Sequence, residues 1–218
     1  MKNFYQILKK HSKETIWLFA FIIFAAVSFE MINRPFGTVR SLKIAFDDQI
    51  PFIKEMILIY QLYMPLIGLT GLLLIRHRIV SARQFIFNLF VAQLAAYLIF
   101  YFFQTEVPRY DINRLGNDFF SDFIRLTYTV DNSFCGAPSL HVCNMTVCSI
   151  YFWMLPYRKS VRFTAIVLMF LVAISTVLVK QHVFLDIPTG FLHALITFGL
   201  TQWIWKQRHS APLPDSAQ

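Results

Sequence analysis

The sequence predicts an all-α fold: a polytopic membrane helix bundle with six transmembrane helices and both termini in the cytoplasm. Three observations carry this expectation. The 218 residues are 56% hydrophobic and only 15% charged, whereas soluble domains carry roughly a quarter charged residues. Six apolar segments reach or approach the ~20 residues that a helix needs to cross the hydrocarbon core. Basic residues gather in alternate connections, the pattern that orients spans in a bilayer.

The first span, Thr15–Asn33, follows Lys9, Lys10 and Lys13. Such a start also resembles a signal peptide, but the apolar run is long and no small-x-small cleavage site follows, so an uncleaved span is expected. The second and third spans, Glu55–Ile75 and Gln84–Phe103, are joined through Arg76, Arg78 and Arg83. Between the third and fourth, Asn117–Tyr128 alternates Phe119, Phe120, Phe123, Ile124 and Leu126 with Asp118, Asp122 and Arg125. That pattern predicts an amphipathic interfacial helix, serving as a lid or as plain packing. The fourth span, Leu140–Leu155, is short, as expected if its N-terminus starts in a pocket below the membrane surface. Val161–Val179 and Phe184–Trp205 complete the set. Residues 1–209 read as one membrane domain, and 210–218, with two prolines, as a disordered tail.

The N-terminal segment, the second-to-third and fourth-to-fifth connections and the segment after Trp205 hold twelve of the 20 basic residues. Placing them in the cytoplasm satisfies the positive-inside tendency. It also accounts for the net charge of +8 without invoking nucleic acid. Cys143 and Cys148 fall inside a span and Cys135 stands alone in a loop, so no disulfide framework or zinc site is expected. Cys135 should be reachable by reagents from outside. Gln61, Asn88, Gln93 and Asn144 read as interhelical hydrogen-bonders, and His193 as a satisfied interior histidine.

Three polar stretches emerge on the side opposite the basic loops. The first contains Arg109, whose planar fork suits phosphate, although taken alone it reads first as an interfacial arginine paired with Glu106. The second is Ala137-Pro138-Ser139-Leu140-His141, opening the fourth span. Ser139 suits an N-cap, and the free N–H groups of such a terminus also attract anions. His141 on the first turn is placed to give a proton to a departing oxygen. The third runs from Ser175 to Asp186; His182 and Asp186 are four apart, so one helical turn brings carboxylate to imidazole.

Together these stretches resemble the type 2 phosphatidic acid phosphatase superfamily, whose pattern is K-x6-R-P, then P-S-G-H, then S-R-x5-H-x3-D on a six-helix bundle. Arg109 matches the first motif, Pro138-Ser139-Leu140-His141 the second, and Ser175, His182 and Asp186 the third. Phe102 stands where the first motif has lysine, Tyr110 replaces its proline, Leu140 replaces the glycine of the second, and Thr176 the arginine of the third. Two cationic phosphate ligands are therefore missing; Lys180 is a partial replacement, although two positions before His182 on a regular helix it points elsewhere. Pro138-Ser139-Leu140-His141, Lys180-Gln181-His182 and Asp48-Gln49-Ile50-Pro51-Phe52 look more like the inositol phosphorylceramide synthase branch.

The resemblance implies a lipid phosphatase without metal or cofactor. In it His182 is the nucleophile, Asp186 orients it, and His141 protonates the leaving alcohol. Arg109, Ser139, the N–H groups near Leu140 and Lys180 cradle the phosphoryl oxygens. Transfer of a phospho-headgroup to a second lipid is the alternative, and a non-catalytic lipid binder a lesser one. The lipid and the oligomeric state stay open at this level.

Overall fold

A computed structural model describes residues 2–210. The expected disordered tail therefore lies outside the described residues, except Ser210, which closes the last helix. The helices are α1 (Lys2–Lys10), α2 (Ser12–Ile32), α3 (Ile57–Tyr60), α4 (Tyr63–His77), α5 (Ile79–Phe102), α6 (Phe119–Val130), α7 (Leu140–Trp153), α8 (Lys159–Leu178) and α9 (Asp186–Ser210). A short parallel pair, β1 (Arg40–Ser41) with β2 (Thr105–Glu106), ties two loops together.

All six expected spans are helical. Among the described residues, four segments are long and apolar enough to cross a membrane: Ser12–Ile32, Lys54–His77, Ile79–Phe102 and Lys159–Leu178. The other two differ for separate reasons. With 14 residues, α7 is about 21 Å long at 1.5 Å per residue, short of the ~30 Å hydrocarbon core. Helix α9 has the length, but Thr189, His193, Thr197, Thr201 and Gln202 dilute its apolar character.

Helix α7 sits at the centre. It packs against α4, α5, α8 and α9, and Val142, Cys143, Asn144, Met145, Val147, Cys148, Tyr151 and Phe152 are all buried. The main apolar core around it draws Leu18 and Phe21 from α2, Leu74 from α4, Phe85 and Leu89 from α5, and Met169 from α8. Polar bonds register the helices. Asn88 Nδ2 donates to Thr201 Oγ1 (3.1 Å) and Asn144 Nδ2 to the Tyr63 hydroxyl (2.6 Å), while Gln61 Nε2 donates to Thr127 Oγ1 of α6 (2.9 Å). Gln93 departs from the expectation: it donates to Tyr97 one turn along α5, and Tyr97 makes the link to Ser28 of α2. His193 is the satisfied interior histidine expected, bonded to the Ala92 carbonyl at 2.8 Å.

The ends of α2, α5 and α8 and the starts of α4, α7 and α9 meet at one end of the bundle, where the loops are knit together. Asn33 donates to Asp131 and to the Asn132 carbonyl. Gln104 reaches back to Arg34 and Phe36. Ile53 N–H bonds the last-turn carbonyl of Leu178. The expected amphipathic helix exists as α6, capped by Asp118, which accepts from the N–H groups of Phe120 and Ser121. It packs against the 54–60 segment, and Lys54 pairs with Asp118 at 2.5 Å. That bond holds the Asp118 carboxyl well below the usual carboxylate range.

One close approach fixes α9 on α7. A Cβ at Gly190 would lie 2.5 Å from the Ser139 backbone carbonyl, an atom that cannot swing aside. Gly199, farther along α9, has nothing within 4 Å of such a Cβ. Gly190→Ala should therefore lower stability by about 1–3 kcal/mol through overpacking, read as a fall in thermal midpoint in detergent. Gly199→Ala should leave the midpoint unchanged or raise it, since alanine is the better helix former.

Candidate active site

Asp186 is the first residue of α9, where a carboxylate is favoured by the helix dipole. Its Oδ2 accepts from His182 Nδ1 at 2.9 Å and from the Val183 N–H at 3.1 Å. The His182–Asp186 pair thus forms as the four-residue spacing predicts, but through an irregular turn between α8 and α9. The turn begins as the Thr176 carbonyl takes the N–H groups of both Gln181 and His182. Lys180 adopts a left-handed backbone (φ +54°), uncommon for a residue with a side chain. The Asp47 side chain caps the far side by accepting from the Phe184 N–H at 2.7 Å. Gly136 lies alongside: a Cβ there would stand 3.0 Å from Asp186 Oδ2 and 2.9 Å from Val107. Asp186 is fully buried, and its Oδ1 has no hydrogen-bond partner among the described residues.

With Nδ1 committed to Asp186, His182 points Nε2 at the start of α7. Ser139 Oγ lies 3.1 Å from Nε2 and His141 Nδ1 lies 3.2 Å from it. Ser139 also caps α7, its hydroxyl accepting from the Val142 N–H at 3.3 Å, so its own proton points toward His182. The bonding pattern assigns His182 the tautomer with Nδ1–H and a lone pair on Nε2. The peptide bond between Ala137 and Pro138, just before this turn, is cis. Leu140 is buried, and its carbonyl accepts from the Tyr63 hydroxyl at 3.5 Å.

Arg109 reaches the same place, but not through Glu106. Its guanidinium donates to the Gln181 side chain and to the carbonyls of Asp131 (3.1 Å), Asn132 (2.8 Å) and Lys180 (3.5 Å), with the Tyr128 ring beneath it at 4.8 Å. Lys180 corrects a sequence expectation in part. It lines the cavity with Arg109 and His182, yet its ammonium donates to the carbonyls of Asp47 (3.1 Å) and Ile50 (2.7 Å). Burial lowers its pKa, against the pull of Asp47 and Asp48. Its ammonium is thus a staple between the turn and the 47–50 segment.

The cavity before His182 has a volume of about 170 Å3, and Lys43 and Asp48 face each other at its edge, paired at 2.5 Å. Lys43 is a cation that the sequence reading missed. The two positions that lack the motif cations lie as follows. Phe102 is 76% exposed on the outer face of α5, away from the site. Thr176 is buried in α8 and bonds the Ala173 carbonyl, and Ser175 likewise bonds Val172. Tyr110 stacks on Phe52, rings 3.9 Å apart.

Asp131 and two tyrosines also went unnoticed. Asp131 lines a small cavity with His141 and His182, its Oδ2 accepting from the Tyr60 hydroxyl at 3.0 Å. Burial pushes its carboxyl up, with Arg109 and the Tyr60 bond opposing the rise. The only signal for Tyr60 and Tyr63 was their spacing, one turn apart and facing one way inside an apolar span.

A model of the PAP2 superfamily matches residues 36–200 of the chain. No curated protein and no solved structure shows a significant match.

Cys135 overturns the expectation of an accessible loop thiol. It is 5% exposed, its Sγ lies 3.7 Å from the Ile32 carbonyl, and burial pushes its pKa to about 12. Since the thiolate is the reactive form, a maleimide at neutral pH should leave Cys135 of the native protein unmodified and label it after denaturation. Rapid labelling of the native protein would contradict this packing.

Proposed function

Because the chain belongs to the PAP2 superfamily, a group of phosphatases and related enzymes, we propose that it is an integral membrane lipid phosphatase working through a phosphohistidine on His182. The observation that carries this reading is the relay Asp186 Oδ2, His182 Nδ1 and Nε2, and His141 Nδ1, with links of 2.9 and 3.2 Å. A carboxylate holds one nitrogen and leaves the other with its lone pair, the arrangement of an activated nucleophile.

In the first half-reaction His182 Nε2 attacks phosphorus in line with the ester oxygen. The N–P bond forms as the P–O bond breaks, and the proton of His141 passes to the departing alkoxide. In the second half, water gives a proton to His141 while its oxygen takes the phosphoryl group, and the N–P electron pair returns to His182. Asp186 keeps the Nδ1 proton throughout and stabilises the charged ring. A reacting phosphorus needs about 3 Å in front of Nε2, so the His141 ring swings aside as substrate enters. Arg109, Lys43, Lys180, Ser139 and the N–H groups at the start of α7, by Leu140, stabilise the phosphoryl oxygens. Each such donor is worth about 3 kcal/mol where water is excluded.

This reading includes six spans, with α7 and α9 joining the four longer ones, cytoplasmic termini, and the site at the extracytoplasmic face of the cell membrane. What supports it is the enclosure of α7 by its neighbours and the clustering of basic residues at the end opposite the histidines. One observation favours transfer to a second lipid, as in the inositol phosphorylceramide synthase branch. A second cavity of about 320 Å3 also reaches His141, lined by apolar Ala25, Val27, Met64 and Val130 together with polar Glu30, Gln61, Gln93 and Asp131.

Purified protein given phosphatidate, phosphatidylglycerophosphate or a polyprenyl pyrophosphate should release phosphate from at least one. His182→Ala should lower that release by more than about 1,000-fold, as loss of a covalent nucleophile does. Equal activity of the variant would rule out the phosphohistidine. New phospholipid formed when a lipid alcohol is added would favour transfer.

A further inference from the structure

A histidine that protonates a leaving group must carry its proton before the bond breaks, and a cation out of water is costly unless something compensates it. Asp186 does this for His182 through the bond to its Nδ1. No carboxylate is hydrogen-bonded to or ion-paired with His141 among the described residues, and Arg109 shares its cavity as a second positive charge. What lies against the imidazole is aromatic. The Tyr63 ring centroid is 4.3 Å from that of His141 and the Tyr60 centroid 4.8 Å from it, tilted by 44° and 35°. Both distances fall within the ~6 Å over which a ring face attracts a cation.

We propose that Tyr60 and Tyr63 form an aromatic seat that holds His141 in its cationic form for protonating the leaving group. Asp131 strengthens that seat through the Tyr60 hydroxyl. The inference rests on the phosphohistidine reading, in which His141 supplies the proton.

Both rings are buried and held at their hydroxyls. Tyr63 accepts from Asn144 Nδ2 at 2.6 Å, which fixes it to the second turn of α7. Tyr60 donates to Asp131 Oδ2 at 3.0 Å, and Asp131 Oδ1 is in turn held by Asn33 Nδ2 at 2.8 Å. A phenol donating to a carboxylate gains electron density in its ring, and the face of an electron-rich ring attracts a cation more strongly. The Tyr60–Asp131 hydrogen bond thus acts on His141 through the ring without occupying the hydrogen-bonding edge needed by substrate. Tyr60, Tyr63 and Asp131 are positioning residues: they act on the reaction through His141.

The test compares two phosphate monoesters in single-turnover measurements of leaving-group release by the full-length protein in detergent micelles. One ester is nitrophenyl phosphate, whose leaving group departs with little need of a proton. The other is a short-chain phosphatidate, whose alkoxide requires one. Tyr60→Leu should slow release from phosphatidate by about 10- to 30-fold, the range expected for a desolvated cation–π contact, and release of nitrophenolate by no more than about 3-fold. Tyr60→Phe, which keeps the ring and loses the Asp131 link, and Asp131→Asn should fall between wild type and Tyr60→Leu. Equal slowing of both esters would reduce the tyrosines to packing and overturn the proposal, as would no slowing of either. His182→Ala is the separate control. If it releases both leaving groups as wild type does, the phosphohistidine reading fails and the seat falls with it. If it is inactive while Tyr60→Leu shows no selectivity, only the seat fails.

Discussion

The hydrogen bond between Asp186 and His182 is the constraint around which this end of the bundle is arranged. It needs a carboxylate at the first position of α9 and an imidazole four residues earlier, on a chain that has just left α8 in the opposite direction. The connection is too short for a relaxed loop. The chain turns by directing two N–H groups to one Thr176 carbonyl, by placing Lys180 in a left-handed conformation, and by borrowing Asp47 as a cap. Each device comes from a different element, so the geometry of one hydrogen bond is held by the loop after α2 as much as by α8 and α9.

The same economy appears in the second layer. Lys180 ties the turn to the 47–50 segment, while Arg109 ties it to the 131–132 carbonyls. Asn33 joins those to the end of α2. Gly136 and Gly190 sit where these pieces come closest, one beside the Asp186 carboxylate and the other beside the Ser139 carbonyl. Small residues at these two points bring the histidines of α7 and of the turn into mutual contact. Bulk there would push α9 or the 135–138 loop outward and lengthen the His141–His182 approach.

Much of this was legible in the chain itself. The six helices follow from long apolar runs, and Ser139, His141, His182 and Asp186 follow from chemically informative residues at short spacings beside those runs. What was not legible arises from chain crossing. Lys43 and Asp131 reach the site only because their loops fold back over it, and no local spacing reports that. Lys180, expected as a partial replacement for the missing phosphate ligands, stands in a left-handed turn with its ammonium on the 47–50 carbonyls. Cys135 stands in a loop between spans, where a thiol is expected to be accessible, but the knitting of the loops buries it. Gln93 bonds within its own helix because Tyr97 one turn away completes the bridge to α2.

The enclosure of α7 has a consequence for how the protein meets its surroundings. A helix in contact with lipid must match the hydrocarbon thickness or tilt, and a change in bilayer composition shifts it. Helix α7 touches mainly protein, so mismatch is absorbed by the outer helices, α2 and α8 among them. The depth of His141 relative to its neighbours is then set by side-chain packing, and the two histidines keep their register in thin and thick membranes alike.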